Sequence, residues 1–133
     1  MKPLASAVSI LAFATPAFAA DPAEGLWLVR GGGGVVELAP CAKTPARLCG
    51  TIRWLRGPEH IGATDSENPI HALRARPLLG LAVVWDQHRL GSGRWAGGKI
   101  YDPNTGRTYE SRLTLQRNGA LKAADAKQLA RIR

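Results

Sequence analysis

The chain has 133 residues, which fits one domain of ordinary size. It contains no internal repeat of 20 to 50 residues and no low-complexity linker, so the sequence predicts a single domain. The formal net charge of +8 indicates a preference for anionic partners. No basic helix or aromatic RNA-binding motif accompanies that charge, so nucleic acid is not an expected partner.

The N-terminus has the pattern of an export signal. Lys2 supplies the positive start, Leu4–Ala14 is an apolar run, and Ala17-Phe18-Ala19 is a small-x-small cleavage site. The run is about eleven residues, shorter than the roughly 20 that span a bilayer, so no membrane anchor is expected. We expect cleavage after Ala19, which makes residues 1–19 a signal peptide and residues 20–133 a periplasmic or secreted domain.

The next part of the chain predicts an all-β domain, because short β-type segments alternate with Gly and Pro at the spacing of an antiparallel meander. In the sixth segment Ser111 and Leu113 take one face and Glu110 and Arg112 the other, as in a half-solvated strand. Leu78–Trp85 is apolar almost throughout and predicts a strand covered on both sides. The predicted strands are Gly25–Arg30, Gly34–Leu38, Leu48–Arg56, Leu78–Trp85, Arg94–Tyr101, Arg107–Gln116 and Gly119–Lys122.

Cys41 and Cys49 are the only cysteines, and export would bring them into an oxidising compartment. A disulfide between them is therefore expected. A redox or metal-binding pair would have C-x-x-C spacing or nearby histidines, whereas seven residues separate these two.

One irregular stretch, Gly57–Pro77, interrupts the predicted strands and indicates a flap or crossover at one end of a barrel. Asn68 followed by Pro69 is a helix-start signal, so Pro69–Leu73 is predicted to form one helical turn capped by Asn68.

The sequence Asp102-Pro103-Asn104-Thr105-Gly106 predicts a hairpin turn, because Pro fixes φ and Gly tolerates positive φ. A calcium loop is the competing interpretation, and it fails at two positions. Gly106 offers no side-chain oxygen at the fifth position, and Leu113 stands where the twelfth-position Glu is required.

Several blocks occur in a characteristic order: GLWL, VVELAPCA, LCGTIRWL, D-x-x-N-P, L-R-x-R-P-L-L-G-L and RWAGGKIYDPNTGRTYESRLTL. Together they resemble the small exported bacterial family catalogued as domain of unknown function 2147, over Gly25–Lys122. The resemblance implies a lipocalin-like antiparallel barrel with a cup for a small, mostly apolar ligand. Gly25-Leu26-Trp27 is similar to the Gly-x-Trp that opens lipocalin barrels, where the Trp plugs the closed end.

Arg74 and Arg76 are the candidate ligand-binding residues, because the resemblance places them where the irregular stretch meets the barrel. Their guanidinium groups would bind a carboxylate or phosphate head group, with Trp54 and Trp85 beside the tail of the ligand. The alternative is that these arginines pair with carboxylates of the same stretch, namely Glu59, Asp65 or Glu67.

No catalytic or metal-binding residue is predicted. His60, His71 and His88 are scattered without H-x-x-x-H spacing, no G-x-S-x-G motif is present, and no cofactor is expected. The leading hypothesis is a non-enzymatic periplasmic binding protein for a small amphipathic, anionic ligand. The alternatives are a cell-envelope interaction module with a filled barrel, and an unrecognised hydrolase.

The end of the chain departs from the family pattern, because Lys122 is followed by AADAKQLARIR. These residues are mostly strong helix formers, and only Leu129 and Ile132 are apolar. They predict a short C-terminal helix and an incomplete barrel that lacks its closing strand. Such a loss would leave an unpaired edge at Arg107–Gln116 or its neighbour and would favour dimerisation or aggregation through that edge.

Overall fold

Eight antiparallel strands pair in sequence order, and the last pairs with the first, which closes a barrel. The computed structural model describes residues 2–12, 20–31, 33–123 and 127–131. The all-β antiparallel barrel expected from the sequence is confirmed. The strands are β1 (Gly25–Val29), β2 (Gly34–Pro40), β3 (Leu48–Leu55), β4 (Ala82–Gly91), β5 (Arg94–Asp102), β6 (Arg107–Leu115), β7 (Leu121–Ala123) and β8 (Lys127–Arg131).

Strand β8 shows that the expected C-terminal helix is wrong over Lys127–Arg131. Its Leu129 lies opposite both Val29 of β1 and Leu121 of β7, so β8 fills the gap between the first and seventh strands. The barrel is therefore complete, and the expected loss of a closing strand is also wrong. The helix prediction for residues 124–126, 132 and 133 lies outside the described residues. The dimer was expected from a missing strand, so that reason for it no longer holds and the dimer stays a prediction.

The fourth strand differs most from its predicted position. It begins at Ala82 rather than Leu78 and continues to Gly91. Only Val83 and Val84 among its apolar residues are buried, so the prediction of a strand covered on both sides is wrong. Leu79 and Gly80 instead belong to the connection before the strand, where both are exposed.

Alternating connections lie at opposite ends of the barrel, because the strands are antiparallel neighbours. The β1–β2, β3–β4 and β5–β6 connections share one end, and the β2–β3, β4–β5 and β6–β7 connections share the other. The long β3–β4 connection (residues 56–81) contains two short 3₁₀ helices, at Pro58–His60 and His71–Leu73. The predicted turn at Pro69–Leu73 thus exists in shorter form. Ile70 rather than Asn68 is its N-cap, and the Asn68 side chain accepts a hydrogen bond from the Ile70 N–H at 2.8 Å.

The residues Asp102–Gly106 form the predicted hairpin turn between β5 and β6. The Gly106 N–H donates to the Asp102 carbonyl at 2.8 Å, and Gly106 has a φ of 72°. A Cβ at Gly106 would lie 2.0 Å from the Glu67 carbonyl oxygen. Glycine is therefore required here both for its backbone conformation and for the close approach of the β3–β4 connection.

Trp27 plugs the end of the barrel at which β1 starts, as the family resemblance implied. Its side chain is fully buried, and the indole N–H donates to the Ala23 carbonyl at 2.8 Å. The guanidinium group of Arg131 lies over the indole ring, 4.5 Å from the ring centroid, and donates to the Pro22 carbonyl. The first and last strands are thus held together at the closed end by one aromatic side chain.

Asp21 fixes the N-terminal segment across this closed end. Its carboxylate accepts hydrogen bonds from the Gly93 N–H, the Trp95 indole and Arg89, at 3.0 to 3.3 Å. It also accepts from the Ala23 N–H at 2.9 Å. Burial alone would raise the pKa of Asp21, but these hydrogen bonds outweigh it and hold the pKa below its usual value.

The predicted disulfide is present between Cys41 and Cys49, whose Cα atoms lie 4.9 Å apart. It joins the end of β2 to the start of β3 at the closed end. The Cys41 N–H also donates to the Arg47 carbonyl at 2.9 Å. The connection between these strands is therefore closed by a backbone hydrogen bond as well as by the disulfide.

Residues 2–12 add nothing to the core. Residues 2–12 have no regular secondary structure, and Leu4, Val8, Ile10 and Leu11 are 77–98% exposed. Among the residues that the structure describes, no helix is long and apolar enough to cross a membrane. Signal-peptide cleavage near Ala19 stays a prediction.

Ending the chain at Ala123 should destroy the cooperative fold, because it removes β8 and with it the ladders to β1 and β7 and the Arg131 contact with Trp27. Thermal unfolding followed by circular dichroism measures this. A control chain ending at Arg131 keeps every described strand and should unfold cooperatively. Equal melting temperatures of the two chains would show that β8 is peripheral.

Replacing both cysteines with serine should lower the free energy of unfolding by about 2–3 kcal/mol, because the unfolded chain loses a short closed loop. The barrel should still form, since its ladders do not depend on the bridge. Urea unfolding of the Cys41→Ser/Cys49→Ser variant, compared with the oxidised protein, measures the difference. Unchanged stability would contradict this expectation.

Candidate functional site

The interior of the barrel holds a cavity of about 480 Å³ that opens at the end opposite Trp27. Its wall consists mainly of aliphatic side chains, and all eight strands contribute to it. A volume of this size lies within the range of small-molecule sites, about 300–1,000 Å³. The aliphatic residues of the wall include Val29, Val36, Leu38, Ile52, Val84, Ile100, Leu113 and Leu129.

Polar groups are concentrated at the mouth of this cavity. Three connections at the open end contribute Arg30 (β1–β2), His60 (β3–β4) and Asn104 (β5–β6), and Asp102 at the end of β5 adds a carboxylate. Tyr109 on β6 lies beside them and is 40% exposed. The arrangement of an apolar interior beneath a polar mouth suits a molecule with an apolar body and one polar end.

A buried polar cluster holds the β3–β4 connection against the barrel. Asp65 is fully buried, and its carboxylate accepts hydrogen bonds from the Tyr101 hydroxyl, the Asn68 amide (2.9 Å) and the Arg76 guanidinium (2.9 Å). Tyr101 belongs to β5 and lines the cavity, so the cluster ties the cavity wall to the connection. Because every partner of the carboxylate donates to it, the buried charge is compensated.

The cluster shifts two pKa values in opposite directions. Burial by itself would raise the pKa of Asp65, but the hydrogen bonds from Tyr101, Asn68 and Arg76 and the Arg76 charge hold it below its usual value. Burial and the neighbouring Asp65 carboxylate raise the pKa of Tyr101 to about 12. At neutral pH the pair therefore consists of an ionised carboxylate and a protonated phenol.

The four residues predicted to bind ligand lie outside the cavity lining. Arg76 pairs with Asp65, which is the alternative that the sequence left open, and Arg74 donates to the Asn68 carbonyl at 2.8 Å. Trp85 stacks on Tyr101 with ring centroids 6.3 Å apart, and so touches the wall from outside. Trp54 is 46% exposed on β3.

The acidic residues and histidines of the β3–β4 connection, all of which are described, do not form one cluster. Asp65 points inward to Tyr101, whereas Glu59 and His60 form an exposed pair at 3.8 Å. Among the described residues, Cys41, Cys49 and Asp86 come within ligand distance of one another. Both sulfur atoms of that group belong to the disulfide, so it offers no thiolate to a metal ion.

A second buried polar pair was not expected from the sequence. The Ser111 hydroxyl donates to the Gln87 side-chain carbonyl at 2.6 Å, and the Gln87 amide donates to the Trp85 carbonyl at 3.1 Å. Gln87 lies where the β4–β5 ladder skips from Trp85–Lys99 to His88–Ala96. Its amide thus replaces backbone hydrogen bonds that the irregular ladder cannot make.

Replacing Tyr101 with Phe should lower the free energy of unfolding at pH 7 by about 1.5–3 kcal/mol, because a buried carboxylate loses a donor. The raised pKa also gives a pH signature. The protonated phenol stabilises the folded state fully below its ordinary pKa of 10.0, and this contribution is lost as pH rises toward about 12. Urea unfolding at pH 7 and pH 11 should therefore show a larger alkaline loss in the wild type than in Tyr101→Phe.

Tyr109→Phe is the matched control, since Tyr109 is partly exposed and makes no described hydrogen bond to Asp65. It should leave stability at pH 7 nearly unchanged and should retain the alkaline loss of the wild type. An equal effect of the two substitutions would contradict the assignment of the cluster as the attachment of the β3–β4 connection.

A solved structure confirms the type of fold. The chain matches a structure entitled "Protein HP1028 from the human pathogen Helicobacter pylori belongs to the lipocalin family", with a TM-score of 0.67 and 20% sequence identity. The match covers 83% of this chain and 82% of that one. At this identity the likeness concerns the fold. Among curated proteins, no relative matched this chain.

A family model provides the sequence-level relationship. It matches residues 25–126, which include β1 to β7 and therefore most of the barrel. The match agrees with the resemblance expected from the ordered sequence blocks. The chain thus belongs to the bacterial family described as "Uncharacterized protein conserved in bacteria (DUF2147)".

Proposed function

We propose that this protein binds one small amphipathic molecule in the barrel cavity and acts without catalysis. The observation that carries the proposal is the cavity itself, an aliphatic interior of about 480 Å³ that opens on one side through a polar mouth. The apolar part of the ligand would lie against residues such as Leu38, Ile52 and Leu113. Burial of each CH₂ group there would contribute about 0.8 kcal/mol.

The mouth favours a head group that accepts hydrogen bonds. His60, Asn104 and Tyr109 carry N–H or O–H donors, and they come from three different segments of the chain, while Arg30 and Asp102 add one charge of each sign to the lining. A carboxylate or phosphate would satisfy several of these donors at once. A single-chain amphiphile with an anionic head is therefore the ligand class that we propose, and the export signal supports a periplasmic location.

The two alternatives have less support. A filled barrel would leave little interior volume, whereas this cavity is large enough for a small molecule. A hydrolase that uses a serine, threonine or cysteine nucleophile would place that residue near a base. None of these residue types is among the described residues that line the cavity.

Filling the cavity should weaken binding. Val36 and Val84 line it and are buried, so the Val36→Phe/Val84→Phe variant adds two rings to the interior. We expect its affinity for a dansyl-labelled undecanoic acid to fall at least tenfold, about 1.4 kcal/mol. Leu90→Phe, which adds an exposed ring at the closed end, is the matched control and should bind like the wild type. Fluorescence titration measures binding, and circular dichroism verifies that each variant is folded.

A series of unlabelled fatty acids provides a second measurement that needs no substitution. Competition should tighten with each added CH₂ by up to about fourfold, until the tail exceeds the capacity of the cavity. Binding by an apolar cavity should also change little with ionic strength. Absence of saturable binding by the wild type, or equal affinities of all three proteins, would refute the proposal.

A further inference from the structure

The open end of the barrel exposes large aliphatic side chains toward solvent. Ile61, Ile70 and Leu79 are 81%, 59% and 49% exposed. Ile61 and Leu79 directly follow residues that line the cavity, and Ile70 follows a residue beside the β5–β6 turn. His60 and Leu78 line the cavity, and Pro69 lies against the β5–β6 turn at Gly106. We call these three side chains the rim cluster.

One aromatic side chain, Trp54, lies on the outside of the barrel near the open end. Trp54 lies on β3, one residue before Leu55, which lines the cavity near its mouth. Its ring is 46% exposed, and its side chain makes no described hydrogen bond. Partly exposed Trp and Tyr side chains are favoured where water meets lipid, since they combine an apolar ring with a polar edge.

We propose that the rim cluster docks on the surface of an anionic phospholipid bilayer. The formal net charge of +8 draws the chain toward such a surface in any orientation. At the open end Arg56 and Arg107 are exposed, as are Glu59 and Glu67, so the attraction comes from the net charge of the chain rather than from a basic patch at the rim. Insertion of the rim cluster then selects the orientation in which the cavity mouth faces the lipid.

A second copy of the chain is a poorer occupant for the same cluster. Two copies would each bring a charge of +8 to the contact, whereas an anionic bilayer brings the opposite sign. Ile61, Ile70 and Leu79 also lie on separate bends of the β3–β4 connection. Separate protruding side chains insert more readily into the headgroup region of lipid than into a close-packed protein interface.

Sedimentation with vesicles tests this docking surface. The wild type should sediment with vesicles that contain phosphatidylglycerol and phosphatidylcholine, and much less with phosphatidylcholine alone. The Ile61→Ser/Ile70→Ser/Leu79→Ser variant should bind the anionic vesicles at least tenfold more weakly. Leu26→Ser/Leu90→Ser is the matched control, because both leucines are 40–54% exposed on the barrel away from the mouth, and it should bind like the wild type.

Trp54 supplies a readout of orientation. Brominated lipids should quench the fluorescence of the wild type on binding. Trp54→Phe should lose more of that quenching than Trp85→Phe, because Trp27 and Trp95 are buried and Trp85 is half-buried. Equal loss of binding in the rim and control variants would overturn the proposal. So would self-association of the wild type, through the rim cluster, without vesicle binding. The measurement is independent of the fatty-acid titration, so a cavity that binds no ligand would leave this result intact.

Discussion

The burial of Trp27 is the contact on which the rest of the structure depends. A fully buried indole must find an acceptor for its N–H, and the Ala23 carbonyl provides one only because Asp21 holds the N-terminal segment across the end of the barrel. The ring is covered by Arg131, which reaches it because β8 pairs with β1. Trp27 therefore contacts both the N-terminal segment and the last strand of the domain. No comparable plug occupies the opposite end among the described residues, and there the interior remains open as a cavity.

The contrast between the hairpins and the C-terminus shows what the sequence could predict. Strands β3, β5 and β6 lie within one residue of their predicted bounds, because alternating faces and the turn residues at Asp102–Gly106 are local signals. The local signal at Lys127–Arg131 favours a helix and is overridden. Intrinsic helix preference amounts to a few tenths of a kcal/mol per residue, and a helix of this length is marginal in water. As a strand, the same segment forms hydrogen-bonded ladders with β1 and β7 and buries Leu129. Intrinsic residue preferences contain no information about these tertiary contacts.

The cavity could be expected from the family resemblance but not from the pattern of residues. Its wall draws side chains from all eight strands, and the volume left between them depends on barrel geometry rather than on any periodicity. The cluster around Asp65 was equally hidden, since Tyr101 lies 36 residues further along the chain. The charges of Arg74 and Arg76 suggested ligand contacts. A buried carboxylate without a cationic partner would strongly destabilise the fold. The structure therefore pairs Arg76 with Asp65.

The two ends of the barrel differ in which groups they expose to water. At the closed end, Asp21 and Arg131 satisfy inward polar groups and seal the interior. At the open end, Ile61 and Ile70 face water although burial of such a side chain would contribute about 1.5–3 kcal/mol. An amphiphile leaving a bilayer through bulk water would expose its whole tail. If those side chains held the mouth at the lipid surface, the tail would pass from the bilayer into the cavity with less of its apolar area exposed to water. The cavity and the exposed rim would then serve the same transfer of ligand from lipid to protein.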